Sequence, residues 1–382
     1  MKLKEICENI TDGSHNPPSG IDSSEYLMLS SKNIFDDKIT LEEPRYLSEE
    51  QFLAEDKRTC IKAGDVLMTI VGTVGRAAVV TADIPKITLQ RSVAVLHPHS
   101  DVCNSRFLMY LLRSKKNFFE QEAHGVAQKG IYLKQLSEIS VSIPAISQQE
   151  DIVDKLDRIN KTIKSRQLEL DKLGELIKAR FVELFGDMIL NPNGWEQSSL
   201  GKVCDVRDGT HDSPKYYMEG YPLVTSKNVT SGKIDFSDCS LICEDDYEKI
   251  NQRSKVDYGD ILMPMIGTVG NPVIVDVEPK FAIKNVALIK FYEDSSVLNT
   301  FVKGLLESDY FDRAVISKVR GGTQKFIALG NIRELQISIP PMNIQLDYQY
   351  FVQQVDKSKS VVKKSLDETQ LLFDSLMQKY FG

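Results

Sequence analysis

A chain of 382 residues is long enough for two or three domains, each with its own core. Its apolar fraction is ordinary and its formal charge is -7, so it lacks the basic surplus of a protein that coats nucleic acid and leaves only local patches for that role. Six cysteines (Cys7, Cys60, Cys103, Cys204, Cys239, Cys243) form no C-x-x-C pair and have no histidine cluster beside them, which predicts reduced, mostly packed thiols and no metal site.

The first residues show no cationic segment followed by an apolar core, and no apolar run approaches the roughly 18 residues of a membrane span, so a soluble cytoplasmic protein is expected. From there the chain reads as one pattern written twice. Leu3 to His15 (LKEICENITDGSH) answers Leu200 to His211 (LGKVCDVRDGTH), and Ser31-Lys32-Asn33-Ile34 answers Ser226-Lys227-Asn228-Val229. GDVLMTIVGTVGRAAVV from Gly64 matches GDILMPMIGTVGNPVIV from Gly259; each reads as two strands joined by a glycine turn. Helical spacing follows from Asn104 to Ala123, with Phe107, Leu108, Leu111, Leu112 and Phe118 on one face, and recurs from Val297 to Val319. Gln128-Lys129 answers Gln324-Lys325. The alternating runs Ile139 to Ile143 and Leu335 to Ile339 predict strands, each closed by a proline.

Each copy ends in a heptad pattern. In the first, Ile152, Leu156, Ile159, Ile163, Leu170, Leu173, Ile177 and Leu184 recur at 3-4 spacing, interrupted by Arg166 and Arg180. In the second, Tyr348, Val352, Val355, Val362, Leu366, Phe373, Leu376 and Tyr380 do the same, with breaks at Lys359 and Thr369 that do not coincide with those of the first. A helix from Gln148 to Phe185 runs roughly 55 Å at 1.5 Å per residue, too long for an ordinary core helix, so it needs a partner. Phe185-Gly186 and Phe381-Gly382 place glycine where a helix stop favours positive φ. Asn191-Pro192-Asn193-Gly194 is a turn cluster that opens the second copy.

The predicted fold is therefore α+β. Two mixed globules of about 145 residues each, a size that suits one domain, are joined by two long helices in an antiparallel coiled coil. The duplicated globules are expected in a pseudo-two-fold arrangement. The boundaries are a first globule at 1–145, a central helix at 146–187, a second globule at 188–341 and a C-terminal helix at 342–382.

Few segments suggest chemistry. Asn16-Pro17-Pro18-Ser19 lacks the aromatic of the Asn-Pro-Pro-aromatic motif of amino-methyltransferases, and no glycine-rich nucleotide loop accompanies it, so it reads as a proline loop. Gly72-Thr73-Val74-Gly75 and Gly267-Thr268-Val269-Gly270 lack the Lys-Ser/Thr ending of a phosphate loop and read as turns that permit positive φ or close approach to a ligand. Asp12 with His15, and Asp208 with His211, have no nucleophile or orienting third group, which points to turn capping or DNA contact rather than catalysis; no catalytic residue is expected. The remaining polar clusters, Ser31, Lys32, Asn33, Arg76, Gln128 and Lys129, with Ser226, Lys227, Asn228, Asn271, Arg320, Gln324 and Lys325, carry the side chains that suit phosphates and base edges.

The duplicated globule-plus-helix plan, with Arg207-Asp208-Gly209-Thr210-His211-Asp212-Ser213-Pro214, Thr225-Ser226-Lys227-Asn228, Gly259-Asp260-Ile261-Leu262 and Gly267-Thr268-Val269-Gly270, resembles the specificity subunit of type I restriction-modification systems over essentially the whole chain. The resemblance implies a non-catalytic reader of double-stranded DNA. Each globule would be a target recognition domain for one half of a bipartite site, and the helices would bind two modification subunits. It further implies that those partners use S-adenosylmethionine to methylate adenine, that restriction subunits add ATP- and magnesium-dependent translocation and cleavage, and that this chain carries no cofactor itself. Two rival readings are a protein-only scaffold, which the acidic charge favours, and a DNA adenine methyltransferase that acts alone.

Overall fold

The computed structural model describes residues 1–123, 130–229, 232–267, 269–316 and 326–382; Gln128, Lys129, Arg320, Gln324, Lys325 and Thr268 lie outside them. The chain divides into two compact units, Met1–Arg166 with Ser365–Gly382, and Gln167–Lys364. This cuts across the four-part division expected from sequence, because each unit takes a globule and one half of each long helix.

In the first unit, strands β1 (Cys7–Asp12), β2 (Tyr26–Leu29), β3 (Ile34–Phe35), β4 (Lys38–Ile39) and β5 (Arg45–Leu47) precede helix α1 (Glu49–Thr59), after which come β6 (Val66–Thr69), β7 (Ala77–Val79), β8 (Ile87–Leu89) and β9 (Val93–Pro98). An antiparallel sheet has the order β1-β9-β6-β7, with Asn9 opposite His97 and Asp12 opposite Ala94. A second sheet has the order β5-β2-β8, in which β8 runs parallel to β2. The predicted glycine-turn strand pair is β6 and β7. Helix α2 (Ser105–Ser114) starts where the Asn104 side chain accepts from the amides of Arg106 and Phe107. A short helix, Lys116–Glu122, follows it. The break at Lys115 turns the second helix, so Phe119 is buried and Phe118 is 45% exposed, a correction to the face expected from spacing. Ile139 to Ile143 makes a single bridge, Lys2 to Ser140, rather than a strand.

The long helix α3 (Ile146–Phe185) begins in this unit. Its first turn is fastened by Gln149, fully buried, whose Oε1 accepts from Asn104 N at 2.8 Å and whose Nε2 donates to the Val102 and Pro144 carbonyls at 2.8 Å each. Further along, Asp157 takes Arg106 Nε and Nη2 at 2.6 Å each, and the Tyr110 hydroxyl at 2.6 Å. Asp37, in the turn between β3 and β4, accepts from Arg106 at 3.0 Å, Asn160 at 2.9 Å and Lys164 at 2.8 Å. An ionic network thus joins helix to globule.

The second unit repeats the plan. Strands β10 (Cys204–Asp208), β11 (Tyr221–Thr225) and β12 (Ser240–Ile242) precede helix α4 (Glu244–Ser254), and β13 (Ile261–Pro264), β14 (Val273–Ile274), β15 (Ala282–Lys284) and β16 (Val286–Phe291) follow. The sheet orders, β10-β16-β13-β14 and β12-β11-β15, match those of the first unit strand for strand, including the one parallel pair. Here Leu335 to Ile339 does supply a strand, Gln336–Ser338, because Gln197–Ser199 lies antiparallel beside it. After α5 (Asn299–Leu306), the last helix α6 (Met342–Phe381) starts with the same clamp. Gln345, fully buried, accepts from Leu298 N at 2.8 Å and donates to Ser296 O at 2.9 Å and Pro340 O at 2.8 Å.

Within each unit the helix halves pair antiparallel. Phe181 and Phe185 of α3 pack on Tyr348 of α6, with ring centroids 5.5 and 5.3 Å apart, while Arg180 sits over Phe351 at 5.6 Å. In the first unit Arg166 donates to Ser365 O at 2.7 Å and to the Thr369 hydroxyl, so two of the polar breaks meet each other. Such a pair fixes register. The expected seam side chains, Ile152 to Leu184 and Val352 to Leu376, are all buried or half-buried. Gly186 closes α3 at φ +68°. Cys7, Cys103 and Cys204 are buried thiols, each pushed up to about 12 by burial. Among the described residues no helix is long and apolar enough to cross a membrane.

Candidate nucleic-acid interface

Two expected segments meet in each unit. Asp12 ends β1 and is buried; His15, three residues on, brings Nε2 to 3.0 Å from Asp12 Oδ2. The other carboxylate oxygen accepts from Arg58, whose Nε also donates to Asp12 O at 2.9 Å. The second unit builds the same group: His211 Nε2 lies 2.9 Å from Asp208 Oδ2, and Arg253 donates to Asp208 Oδ1. Arg58 and Arg253 occupy the last turns of α1 and α4, where a cation complements the helix dipole. Sequence reading missed both arginines. A signal was present, because each arginine precedes the Gly-Asp motif by the same spacing, Arg58 before Gly64 and Arg253 before Gly259.

The loop between Asp and His can take only glycine at its first position. A Cβ on Gly13 would lie 2.0 Å from Leu89 O, and one on Gly209 would lie 2.2 Å from Ile283 O. That approach lets Ser14 bridge Gln90 and Thr210 bridge Lys284. Next to these bridges, Arg91 donates its amide to Ser14 O at 2.9 Å, and Asn285 to Thr210 O at 3.2 Å. The Asn285 side chain also meets His211 Nδ1 at 2.8 Å. Hydrogen bonds to Asn285 and Asp208 hold the His211 pKa above its ordinary value, against desolvation and Arg253.

The Ser-Lys-Asn segments are 3-10 turns attached to this loop. Ser31 donates its amide to Ser92 Oγ at 3.0 Å, and Ser226 Oγ donates to Asn285 O at 3.2 Å. Asn33 and Asn228 are buried and hydrogen-bonded within their turns. Asn33 Oδ1 accepts from Ser30 N at 3.0 Å and its Nδ2 donates to Glu42 O at 2.8 Å; Asn228 accepts from Thr225 N at 2.9 Å and donates to Asp235 O at 3.1 Å. These two amides shape the turn and are corrected from the set of candidate DNA contacts. Lys32 is exposed. Lys227 is also exposed but lies 2.8 Å from Asp238, whose hydrogen bond raises its pKa.

The glycine turns carry positive φ, +85° and +89° at Gly72 and Gly75, +80° and +86° at Gly267 and Gly270. Arg76 is parked over the Phe35 ring at 5.1 Å, and Asn271 is exposed in the left-handed region at φ +55°. Gln128, Lys129, Arg320, Gln324 and Lys325 fall outside the described residues. The motif carboxylates Asp65 and Asp260 are internal. Asp65 lies 2.8 Å from the buried His97, and Asp260 lies 2.6 Å from Lys290 at the matching position of β16.

Duplicated globules with matching loop clusters, each fastened to a long helix, define a class of two-part recognition protein, and comparison with known proteins gives the family. The model of the type I restriction modification DNA specificity domain matches residues 1–173 and again 192–369, and the chain belongs to this family. It is 21% identical over 301 residues to the type I restriction enzyme MjaVIII specificity subunit of Methanocaldococcus jannaschii, covering 74% of this chain and 70% of that one. To the putative MjaX specificity subunit of the same organism it is 23% identical over 391 residues, covering 97% and 89%. Its fold is similar to that of the type I restriction-modification S subunit from M. genitalium, at a TM-score of 0.57 and 15% identity, covering 100% of this chain and 95% of that one. The relatives are specificity subunits, in keeping with DNA target recognition.

Proposed function

We propose that this chain is a non-catalytic reader of double-stranded DNA, in which each globule takes one half of a bipartite target and the helices dock two modification subunits. The observation that carries the reading is the same loop cluster built twice on matching sheets, each with exposed basic side chains: His15, Arg58 and Lys32 in one unit, His211 and Arg253 in the other. Ser31, Arg76, Ser226 and Asn271 flank these clusters and are proposed as further contacts. The docking reading is supported by apolar side chains that face out from the helices beyond the seam. Val182 is 61% exposed and Val361 70% in the second unit, and Leu371 is 69% exposed in the first.

S-adenosylmethionine, ATP and magnesium belong, on this reading, to the partner and restriction subunits. The test is to supply the chain with its modification partner, measure duplex binding against salt, and map methylated adenines. The proposal expects steeply salt-dependent binding and methylation at a two-part sequence. Absence of duplex binding with partners present would favour the scaffold, and S-adenosylmethionine bound by the chain alone would favour the methyltransferase.

A further inference from the structure

We infer that each His-Asp-Arg group is a phosphate clasp, in which a buried carboxylate fixes an exposed guanidinium to receive one backbone phosphate of a duplex, with an exposed imidazole beside it that adds positive charge when protonated. The inference rests on the DNA-reading function proposed above and names the residues that would anchor each unit.

The first support is the division of exposure. The Asp12 and Asp208 side chains are 9% and 8% exposed, whereas His15, Arg58, His211 and Arg253 are 55%, 50%, 57% and 65% exposed. A buried carboxylate needs a partner, but one contact satisfies that need, and half or more of each guanidinium and imidazole side chain still faces solvent. Each carboxylate accepts from one Nη2, with Arg58 Nε given to the Asp12 backbone carbonyl, and the Nη1 groups are left for an anion.

Second, the group is rebuilt from the same three positions in both units, on a loop that the Gly13 and Gly209 contacts hold against the neighbouring strand. Third, the space beside it is open. In the second unit His211 and Arg253 line a depression of about 310 Å³ together with Thr210 and Lys249. In the first unit, the place of Asn285 is taken by the exposed cation Arg91.

In the second unit both ring nitrogens of His211 face oxygen acceptors, Asp208 Oδ2 and Asn285 Oδ1, which favours the imidazolium. The charged groups around it are Asp208 on β10, Arg253, Lys249 and Asp246 on α4, Asp212 on its own loop and Lys284 on β15, whose Nζ is held by Ser213 at 2.5 Å. A cationic His211 adds to the attraction of Arg253 for phosphate. Binding to DNA then strengthens as pH falls through the raised His211 pKa.

The test is binding of the full chain, with its modification subunits, to mixed-sequence duplex DNA across a salt series. Arg58→Met and Arg253→Met should each lower the slope of log affinity against log salt by about one unit, and the double variant by about two. An unchanged slope in a folded double variant overturns the clasp. Should the arginine variants fail to fold, His211→Gln, at an exposed position, carries the test. It should flatten the gain in affinity seen between about pH 8 and about pH 6, and an unchanged pH profile overturns the clasp. Failure of the wild-type complex to bind duplex at all overturns the DNA-reading function itself, a result distinct from a wild type that binds with variants that match it.

Discussion

The two units use one sheet plan and share a ring pair between globule and long helix, Phe107 with Phe381 at 5.2 Å and Phe301 with Phe185 at 4.8 Å, but differ in what is built around it. In the first, Arg106, Asp157, Asp37, Asn160 and Lys164 form a charged network around Tyr110. In the second, Gly304 takes the place in α5 that Tyr110 has in α2, and the space is filled by aromatic rings: Phe181 stacks on Phe301 at 5.8 Å and meets Phe185 at 4.8 Å. A Cβ on Gly304 would lie 2.7 Å from both Phe181 Cδ2 and the Tyr348 hydroxyl. The turn residue Asp37 in the first copy corresponds to Gly232 in the second, with φ +58° and +74°. Backbone geometry survived duplication while the side chains around the ring pair were exchanged. What the two joints share is that pair and the buried glutamine clamp.

The largest expected effect is at the aromatic joint. Phe181→Ala should destabilise the second unit by about 3–5 kcal/mol, the cost of truncating a buried phenylalanine, and hydrogen exchange should report the loss in that unit first. Equal loss of protection in both units would remove the distinction between them.

Next come the shared anchors. Gln149→Leu and Gln345→Leu each leave a buried amide and two carbonyls without their partner, which should cost about 3 kcal/mol in either unit. Thermal denaturation of the two variants checks the equivalence; a large effect at one position only would mean that the clamps are not the common element.

The ionic joint should show itself through pH. Burial alone would raise the Asp37 pKa, but Lys164 and Arg106 outweigh it and hold the carboxyl below its ordinary value. A depressed folded pKa means that the stabilisation is complete above the ordinary carboxylate value of about 3.9 and is lost as pH falls through the lower, folded value. Acid should therefore loosen the first unit through this site, whereas Phe181 and its neighbours carry no such group. Asp37→Asn should destabilise that unit by about 2 kcal/mol at neutral pH and weaken its acid sensitivity. An acid transition that the substitution leaves unmoved would show that Asp37 is not the responsive group.

The helices were the most legible part of the chain, because heptad spacing is a direct consequence of burying one helical face. The sheets were legible as paired motifs, since glycine is required where Gly72 and Gly267 adopt positive φ. Polar residues were harder to read. Recurrence marks any position that both copies need, and Asn33 and Asn228 recur because they cap a turn from the inside. Gln149 and Gln345 sit among solvent-facing residues in sequence, and only the folded helix start shows that they are buried. Arg58 and Arg253 belong to helices whose sequences differ almost everywhere else, so their shared role appears only when α1 and α4 bring them to Asp12 and Asp208.

The central claim, that the two globules read separate half-sites, is tested most directly by exchange. Residues 1–144 would be replaced by the first domain of another family member, keeping an arginine for Asp157 and an acid for Lys164 so that the ionic joint is preserved. Methylated adenines would then be mapped in cells carrying the chimera and the modification partner. The account predicts a change in one half of the recognised sequence and none in the other; a change in both halves, or in neither, would contradict it.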